Sequence, residues 1–361
     1  MVTDSVTKYN ANINTPKRNE IKWINCAKFV AIFAVITDHS EIILYDNPDV
    51  ALFTYFSVSV FIFISGMMCF SSNSRHNYSY FESLKKTLQK IIPAYLITIL
   101  IYELIDHNGF LDLKQYITDV AGFNISAHFY FVALYIQLML INLPLFRILT
   151  KSTVKNCLLH EAITGILILA LSMYTSFFTN IFYIYGGGGK LLGGTYLFIF
   201  YLGMLAQKHN IFKHLSLKAG CVITALSLVF VFIWWRFECH DRYALDIKLH
   251  CADGVNPPGL STFLMMCGII VLCYSLFSTL EHTPFKQITN VVSIMGRHTL
   301  YIFLYHRMIL DRFLVPQVQI NNIWIKRLTY VAIMIAFPIS VEYILQALKQ
   351  ILSGKCFMSD N

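Results

Sequence analysis

The chain has 361 residues and a formal net charge of +8, with 56% hydrophobic and 13% charged side chains. A soluble domain carries roughly 25% charged residues, so this composition excludes an ordinary water-soluble fold. The basic residues stand in short clusters between apolar stretches, as expected when a membrane protein keeps its positive charges on the cytoplasmic side. This distribution also argues against nucleic-acid binding.

Apolar stretches of about 18 to 22 residues recur along the chain, which is the length that a helix needs to cross a bilayer. We therefore predict an all-α, polytopic integral membrane protein with about ten transmembrane helices and both termini in the cytoplasm. One membrane domain, 23–348, would lie between an N-terminal tail, 1–22, and a C-terminal tail, 349–361. The predicted spans lie near residues 23–45, 51–71, 88–105, 128–148, 158–178, 194–208, 216–236, 259–280, 294–313 and 328–348.

Two loops predicted on the outer side stand out. The glycine run 186–189 leaves the backbone permissive and is either a plain connector or a loop that contacts substrate. The stretch 237–258 holds Cys239 and Cys251, which can form a disulfide if the loop faces an oxidising compartment. The cysteines of the chain form no Cys-x-x-Cys pair, which argues against a zinc site, and we expect no metal.

The first span carries ionisable side chains, which are costly inside a bilayer and are therefore candidates for function. Lys28 lies near its inner end and His39 towards its outer end. Eleven residues separate them, which is three helical turns plus about 20°, so both project from one face about 16 Å apart. Asp38 is rotated by about 100° from His39, so we do not expect its carboxylate to orient the imidazole.

His39 has two interpretations at this point. Histidine is the side chain most easily used as a base near neutral pH, and a hydroxyl acceptor requires such a base. A polar histidine can equally hydrogen-bond between helices and hold them together. The first span alone does not favour either interpretation.

The segment Asn25-Cys-Ala-Lys28, together with the Lys28-to-His39 spacing, resembles the opening of the acyltransferase-3 family of membrane acyltransferases. In that family an Arg or Lys precedes a histidine by the same spacing. The chain departs from the family pattern at Asn25, where an acidic residue is common, and at positions 28 and 90, where Lys replaces Arg. Further segments similar to the family's pattern, in the same order, are 59–66, 85–95, 128–131, 198–203 and 296–306.

The resemblance implies transfer of an acyl group, usually acetyl, from cytoplasmic acetyl-CoA to a hydroxyl of a surface polysaccharide or lipid-linked sugar. It also implies a bacterial inner membrane, with membrane lipid around the chain. In this scheme His39 deprotonates the hydroxyl as it attacks the thioester. His306, a second buried imidazole, orients the acceptor or shares protons.

The same resemblance suggests the residues that bind the two substrates. Lys28, Lys85, Lys86 and Lys90 would attract the anionic donor, although the last three are equally expected from the charge-inside topology. Ser65 is either a wall of the acyl site or a small residue for close helix contact, and packing is the stronger interpretation. His128 begins a span at the outer surface, where it binds sugar or anchors the helix.

A transporter or flippase that exports a polysaccharide or lipid-linked sugar is the alternative, because many spans with buried polar groups also suit translocation. Transporters often have broken spans in matching halves, and the sequence has no convincing symmetry of this kind. It also lacks a Gly-x-Ser-x-Gly elbow, a His-Glu-x-x-His motif and a P-loop. We therefore favour acyl transfer centred on histidine.

Overall fold

The computed structural model of the chain describes residues 20–45, 54–76, 79–151, 157–176, 190–240, 258–318 and 320–352. The glycine run 186–189 and the side chains of Cys239 and Cys251 lie outside these residues. The described part is built from helices, which confirms the all-α prediction. The main helices are α1 Glu20–His39, α2 Phe56–Arg75, α3 Tyr80–Asp106, α4 Leu113–Gly122, α5 Tyr130–Thr150, α6 Cys157–Thr175, α7 Tyr196–Lys208, α8 Leu217–His240, α9 Leu260–Leu280, α10 Lys286–Met295, α11 Thr299–Met308 and α12 Ile323–Leu352.

The helices follow the predicted spans with two differences. The short helices α4 and α10 were not predicted as elements of their own. The predicted span 294–313 begins instead at Thr299, because α10 ends at Met295 and the chain turns before α11. After α11 the helix continues as a π-helical turn, Ile309–Leu314.

Six helices of the described chain are long and apolar enough to cross a membrane, so the protein is a multi-pass membrane protein. The other predicted spans correspond to α1, α7, α8 and α11, and the described part of α8 is apolar over Leu217–Phe230. α1 contains Lys22, Lys28 and Asp38, and α7 has 13 residues. The ten-span count therefore stays a prediction. The six apolar segments are Phe56–Arg75, Tyr80–Asp106, Ala127–Thr150, Leu158–Thr175, Thr262–Leu280 and Ile323–Leu348.

α1 lies at the centre of the packing and contributes to two hydrophobic clusters. Ala27 and Ala31 pack in the first cluster, with apolar side chains from α2, α5, α7 and α9. Ile32 and Ile36 pack in the second, with side chains from α3, α5, α11 and α12. A helix that is apolar around its circumference is expected in such a buried position. We call the two ends of the bundle the Lys22 end and the His39 end, after the residues near the ends of α1.

Glycines allow α2 and α7 to approach each other closely. A Cβ atom on Gly66 would overlap the backbone oxygen of Phe200, and one on Gly203 would overlap that of Phe63. Small residues at helix contacts allow this backbone approach in membrane proteins. The Ser65-Gly66 and Leu202-Gly203 pairs, which belong to two of the motif segments, therefore meet in one helix crossing.

A third glycine sets the distance between α1 and the turn that precedes α11. A Cβ atom on Gly296 would overlap the backbone oxygen of Asn25. Nearby, the Asn25 amide is 3.5 Å from the Ser293 hydroxyl, and Lys22 pairs with Glu281 at 2.9 Å. The motif segments at the start and near the end of the chain thus pack together at the Lys22 end.

The α2–α7 contact yields a test of this packing. Replacing Gly66 with Ala should reduce the free energy of unfolding by about 1 to 3 kcal/mol, because the added methyl group has no space against the backbone of α7. The matched control is Gly165→Ala, whose Cβ would lie 3.4 Å from the Tyr201 ring, an ordinary contact. Thermal unfolding of the two purified variants should show a lower midpoint for Gly66→Ala. Equal midpoints for the two variants would contradict the close contact between α2 and α7.

Candidate functional site

Three histidines from distant parts of the sequence meet at the His39 end. His39 is the last residue of α1, His128 lies in the 3-10 turn Ala127–Phe129, and His306 lies in α11. The ring centroids of His39 and His306 are 4.9 Å apart, and the rings are nearly parallel at 6°. The His128 centroid lies 5.0 Å from that of His306 and 6.0 Å from that of His39. The structure thus brings together all three predicted site histidines.

The three rings differ in their exposure. The side chain of His39 is 23% exposed, whereas His306 is 0% and His128 is 2% exposed. A substrate that approaches from outside the cluster can therefore reach His39 first. His306 and His128 form the interior of the site, behind His39.

The hydrogen bonds of His306 fix the position of its proton when the ring is neutral. Its Nδ1 atom lies 2.8 Å from the backbone oxygen of Phe303 and 3.1 Å from that of Ile302. Carbonyl oxygens only accept hydrogen bonds, so Nδ1 carries the proton and donates it. Nε2 is then the acceptor of the neutral ring.

This acceptor faces His39. The Nε2 atom of His306 is 2.6 Å from the Nδ1 atom of His39, so the Nδ1 of His39 must donate to it. In the neutral ring of His39, Nε2 is consequently the nitrogen with a free lone pair. Hydrogen bonds from the α11 backbone through His306 to His39 thus place the proton of neutral His39 on Nδ1. Its Nε2 atom is left able to accept a proton, as a general base must.

Asp38 lies beside His39 without forming a hydrogen bond to it. One carboxylate oxygen is 3.8 Å from Nε2 of His39, and the other accepts a hydrogen bond of 3.1 Å from the Thr54 hydroxyl. A distance of 3.8 Å is too long for a hydrogen bond, in line with the expectation that the Asp38 carboxylate does not orient the imidazole. A carboxylate at this distance stabilises a positive charge on the imidazole once it has accepted a proton.

His128 is buried and does not lie at the surface. Its Nδ1 atom is 3.0 Å from the Ser126 hydroxyl, and its Nε2 atom has no hydrogen-bond partner among the described residues. The Phe129 and Phe303 rings pack against it, with centroids 4.2 Å and 5.1 Å away. An unpaired buried nitrogen is costly, so this atom is available to a ligand that enters the cluster.

Arg307 and Asp311 belong to the site although the sequence analysis did not select them. Arg307 donates to Asp311 at 2.6 Å and to the backbone oxygen of His39 at 3.4 Å. Both histidine-bearing helices pass into π-helical turns here, Glu41–Tyr45 after His39 and Ile309–Leu314 after Arg307. Such turns are frequent at functional sites. A charged residue directly after His306 inside an apolar stretch was the signal available in the sequence.

The predicted donor lysines lie apart from the histidine cluster. Lys28 is partly buried on α1 and has no hydrogen-bond partner in the described chain. Lys90 of α3 is the charged group that acts on it electrostatically. Lys85, Lys86 and Lys90 are exposed on the first half of α3. All three lysines of α3 therefore lie on the surface, and Lys90 is the one whose charge acts on Lys28.

Ser65 is not in contact with the histidines in the described structure. Its hydroxyl donates to the backbone oxygen of Phe61, one turn earlier in α2, at 2.7 Å. Its neighbour Gly66 forms the crossing with α7. These contacts fit the packing interpretation of Ser65. In the described residues, no group of three or more His, Cys, Asp or Glu side chains is arranged to hold a metal ion.

A comparison with family models identifies the chain. The acyltransferase-3 family model, described as an acyltransferase domain, matches residues 21–346. The chain belongs to the acyltransferase-3 family. The match confirms the resemblance found in the motif segments, and the protein is a membrane acyltransferase. No curated protein and no solved structure was found to match it.

The hydrogen-bond chain of this acyltransferase can be tested by the proton positions on the two rings. We expect solid-state NMR of the ¹⁵N-histidine-labelled enzyme in lipid to show a protonated Nδ1 and an unprotonated Nε2 for both His39 and His306. Single His39→Gln and His306→Gln variants assign the signals by their loss. A proton on Nε2 of neutral His306 would contradict the arrangement.

Proposed function

We propose that the protein is an O-acyltransferase that moves an acyl group, most simply acetyl, from cytoplasmic acetyl-CoA to a hydroxyl of a surface polysaccharide or lipid-linked sugar. It would act in the inner (plasma) membrane, with ten spans, both termini in the cytoplasm and the membrane domain over 23–348. The observation that carries the proposal is the accessible Nε2 of His39, which the His306 contact leaves with a free lone pair.

The chemistry follows from this lone pair. Nε2 of His39 takes the proton of the acceptor hydroxyl as the oxygen attacks the thioester carbonyl carbon, and a C–O bond forms. The C–S bond then breaks, and the leaving thiolate takes the proton back from His39. Asp38, 3.8 Å from Nε2, stabilises the imidazolium that exists between the two steps. No covalent acyl-enzyme is required.

His306 supports His39 by position. It is fully buried, and its proton on Nδ1 is held by two backbone oxygens of its own helix. It can accept the hydrogen bond of His39 but is itself shielded from the substrate. In the proposed reaction it holds the His39 ring in one orientation and one tautomer. His128 forms the adjoining wall of the site, and its Nε2 atom can contact the substrate.

The donor would enter at the Lys22 end. Lys28 and Lys90 are like charges that act on each other, and Lys28 lacks a carboxylate partner in the described part of the chain. A diphosphate between them would relieve this repulsion, and Lys85 and Lys86 would add to the attraction at the surface. The thioester arm would then run along the face of α1 that carries His39, about 16 Å away.

The exporter alternative receives no support from the site. The family match identifies an acyltransferase, and the described geometry offers a base with a defined proton position. We therefore do not retain translocation as a second function.

Replacing His39 tests the proposed base. His39→Ala should lower acyl transfer by at least about 100-fold, because positioned general bases contribute about 10² to 10⁴ in rate. The assay is release of the free CoA thiol by the purified enzyme in nanodiscs, with acetyl-CoA and the host's surface glycan after mild alkaline de-acetylation. The control is His282→Ala, an exposed histidine beyond the end of α9. Full activity of folded His39→Ala would disprove the assignment.

Replacing Lys28 tests the donor site separately. Lys28→Gln should raise the KM for acetyl-CoA by about tenfold, the equivalent of one charge-assisted contact of about 1.4 kcal/mol, with little change in kcat. The matched control is Lys286→Gln, which removes an exposed lysine at the start of α10. An unchanged KM in the Lys28 variant would exclude the donor from this position.

A further inference from the structure

Arg307 is a cation that the proposed base chemistry does not yet use. It follows His306 in the chain and is the next-to-last residue of α11. Its side chain is 38% exposed, compared with 23% for that of His39. Its Nη1 atom is 3.4 Å from the backbone oxygen of His39. Arg307 thus places a guanidinium, paired with Asp311, next to the proposed base.

The hydrogen bonds of Arg307 hold its guanidinium in place and leave donors free. Nε donates to Asp311 at 2.6 Å, and Nη1 reaches the backbone oxygen of His39 at 3.4 Å. A guanidinium carries further N–H groups, and these have no partner among the residues that the structure describes. A partly satisfied guanidinium beside a base is suited to bind an oxygen that carries negative charge.

The charges around His39 match those that arise during acyl transfer. Asp38 places a negative charge near Nε2, where the imidazolium forms. Arg307 places a positive charge at the backbone oxygen of the same residue. Fixed groups aimed at developing charges stabilise a transition state more than the ground state. The Asp38 carboxylate is therefore complementary to a base that gains a proton, and the Arg307 guanidinium is complementary to a carbonyl oxygen that gains negative charge.

From this geometry we infer that Arg307 binds the oxyanion that forms when the acceptor hydroxyl attacks the thioester. The inference rests on the proposed function. When the C–O bond forms, the electron pair of the carbonyl π bond moves to the carbonyl oxygen, and the guanidinium donates hydrogen bonds to it. When the C–S bond breaks, this pair returns to form the carbonyl again, and the thiolate leaves with the proton from His39.

The experiment measures kcat and both KM values for Arg307→Gln, Arg307→Lys and the control Arg312→Gln. Arg312 is an exposed arginine that pairs with Asp106 at 2.6 Å and, in the described structure, forms no hydrogen bond with the three histidines. The assay uses acetyl-CoA and the alkali-treated surface glycan. We expect Arg307→Gln to lower kcat by about 100- to 1000-fold with both KM values within about threefold of wild type. Arg307→Lys should retain more activity than Gln but fall at least about tenfold, because an ammonium lacks the planar fork.

Each other outcome overturns the inference. A raised acceptor KM with unchanged kcat would mean that Arg307 binds an anionic group of the acceptor. Unchanged kinetics in the Lys variant, or in both variants, would mean that no oxyanion depends on the guanidinium. If Arg307→Gln does not fold, the inference is tested by Arg307→Lys alone, and an unchanged kcat in that variant overturns it.

Wild type and His39→Ala are measured in the same assay to separate the two proposals. Failure of wild type to release thiol with the glycan, or full activity of His39→Ala, would remove the proposed function itself. Loss of activity in His39→Ala with normal activity in Arg307→Gln would remove the role of Arg307 alone.

Discussion

The contact between α1 and α11 holds the site together. At one end of the pair, the turn at Gly296 packs directly against the backbone of Asn25. At the other end, His39 and His306 share a hydrogen bond of 2.6 Å. The two histidines are 267 positions apart in the chain. Because α1 is packed on both sides, this contact places the end of the helix, and therefore His39, in a fixed orientation.

The polar groups in this apolar core are largely satisfied by the helices themselves. The proton of His306 is bound by the backbone oxygens of its own helix, where no flexible side chain is needed to hold it. Asp38 is held by Thr54 and Arg307 by Asp311. Buried polar groups are costly when unpaired, so a rigid network of this kind limits the loss of stability and preorganises the base. The buried atoms without a hydrogen-bond partner in the described chain include Nε2 of His128 at the site and the hydroxyls of Ser172 and Ser275 elsewhere in the bundle.

The sequence was sufficient to predict the class of fold and the family, and the three histidines that it selected lie together in the structure. Hydropathy indicates helices wherever apolar runs are long, and the Lys28-to-His39 spacing together with the motif order indicated the family. Six helices of the described chain come from apolar runs that are long and poor in charge. α1 is recognised by its pattern and its burial, because Lys28 and Asp38 reduce its apolar character.

The role of the neighbouring charges could not be predicted from helical periodicity. The Asp38 carboxylate accepts a hydrogen bond from Thr54, sixteen positions away in the sequence, and this contact holds it 3.8 Å from Nε2 of His39. Arg307 reaches the backbone of His39 across 268 positions of sequence, a contact that only the packing of α11 against α1 creates. The burial of His128 likewise depends on the rings of Phe129 and Phe303. Local patterns carry no information about such distant contacts.

The most direct measurement of the central claim is mass spectrometry of the surface glycans from cells that carry the gene and from cells in which it has been deleted. The account predicts that the glycan of the deletion strain is still exported and lacks one acyl group per modified unit, and the missing mass identifies that group. Unchanged acylation, with glycan lost from the surface or retained inside the cell, would contradict the account.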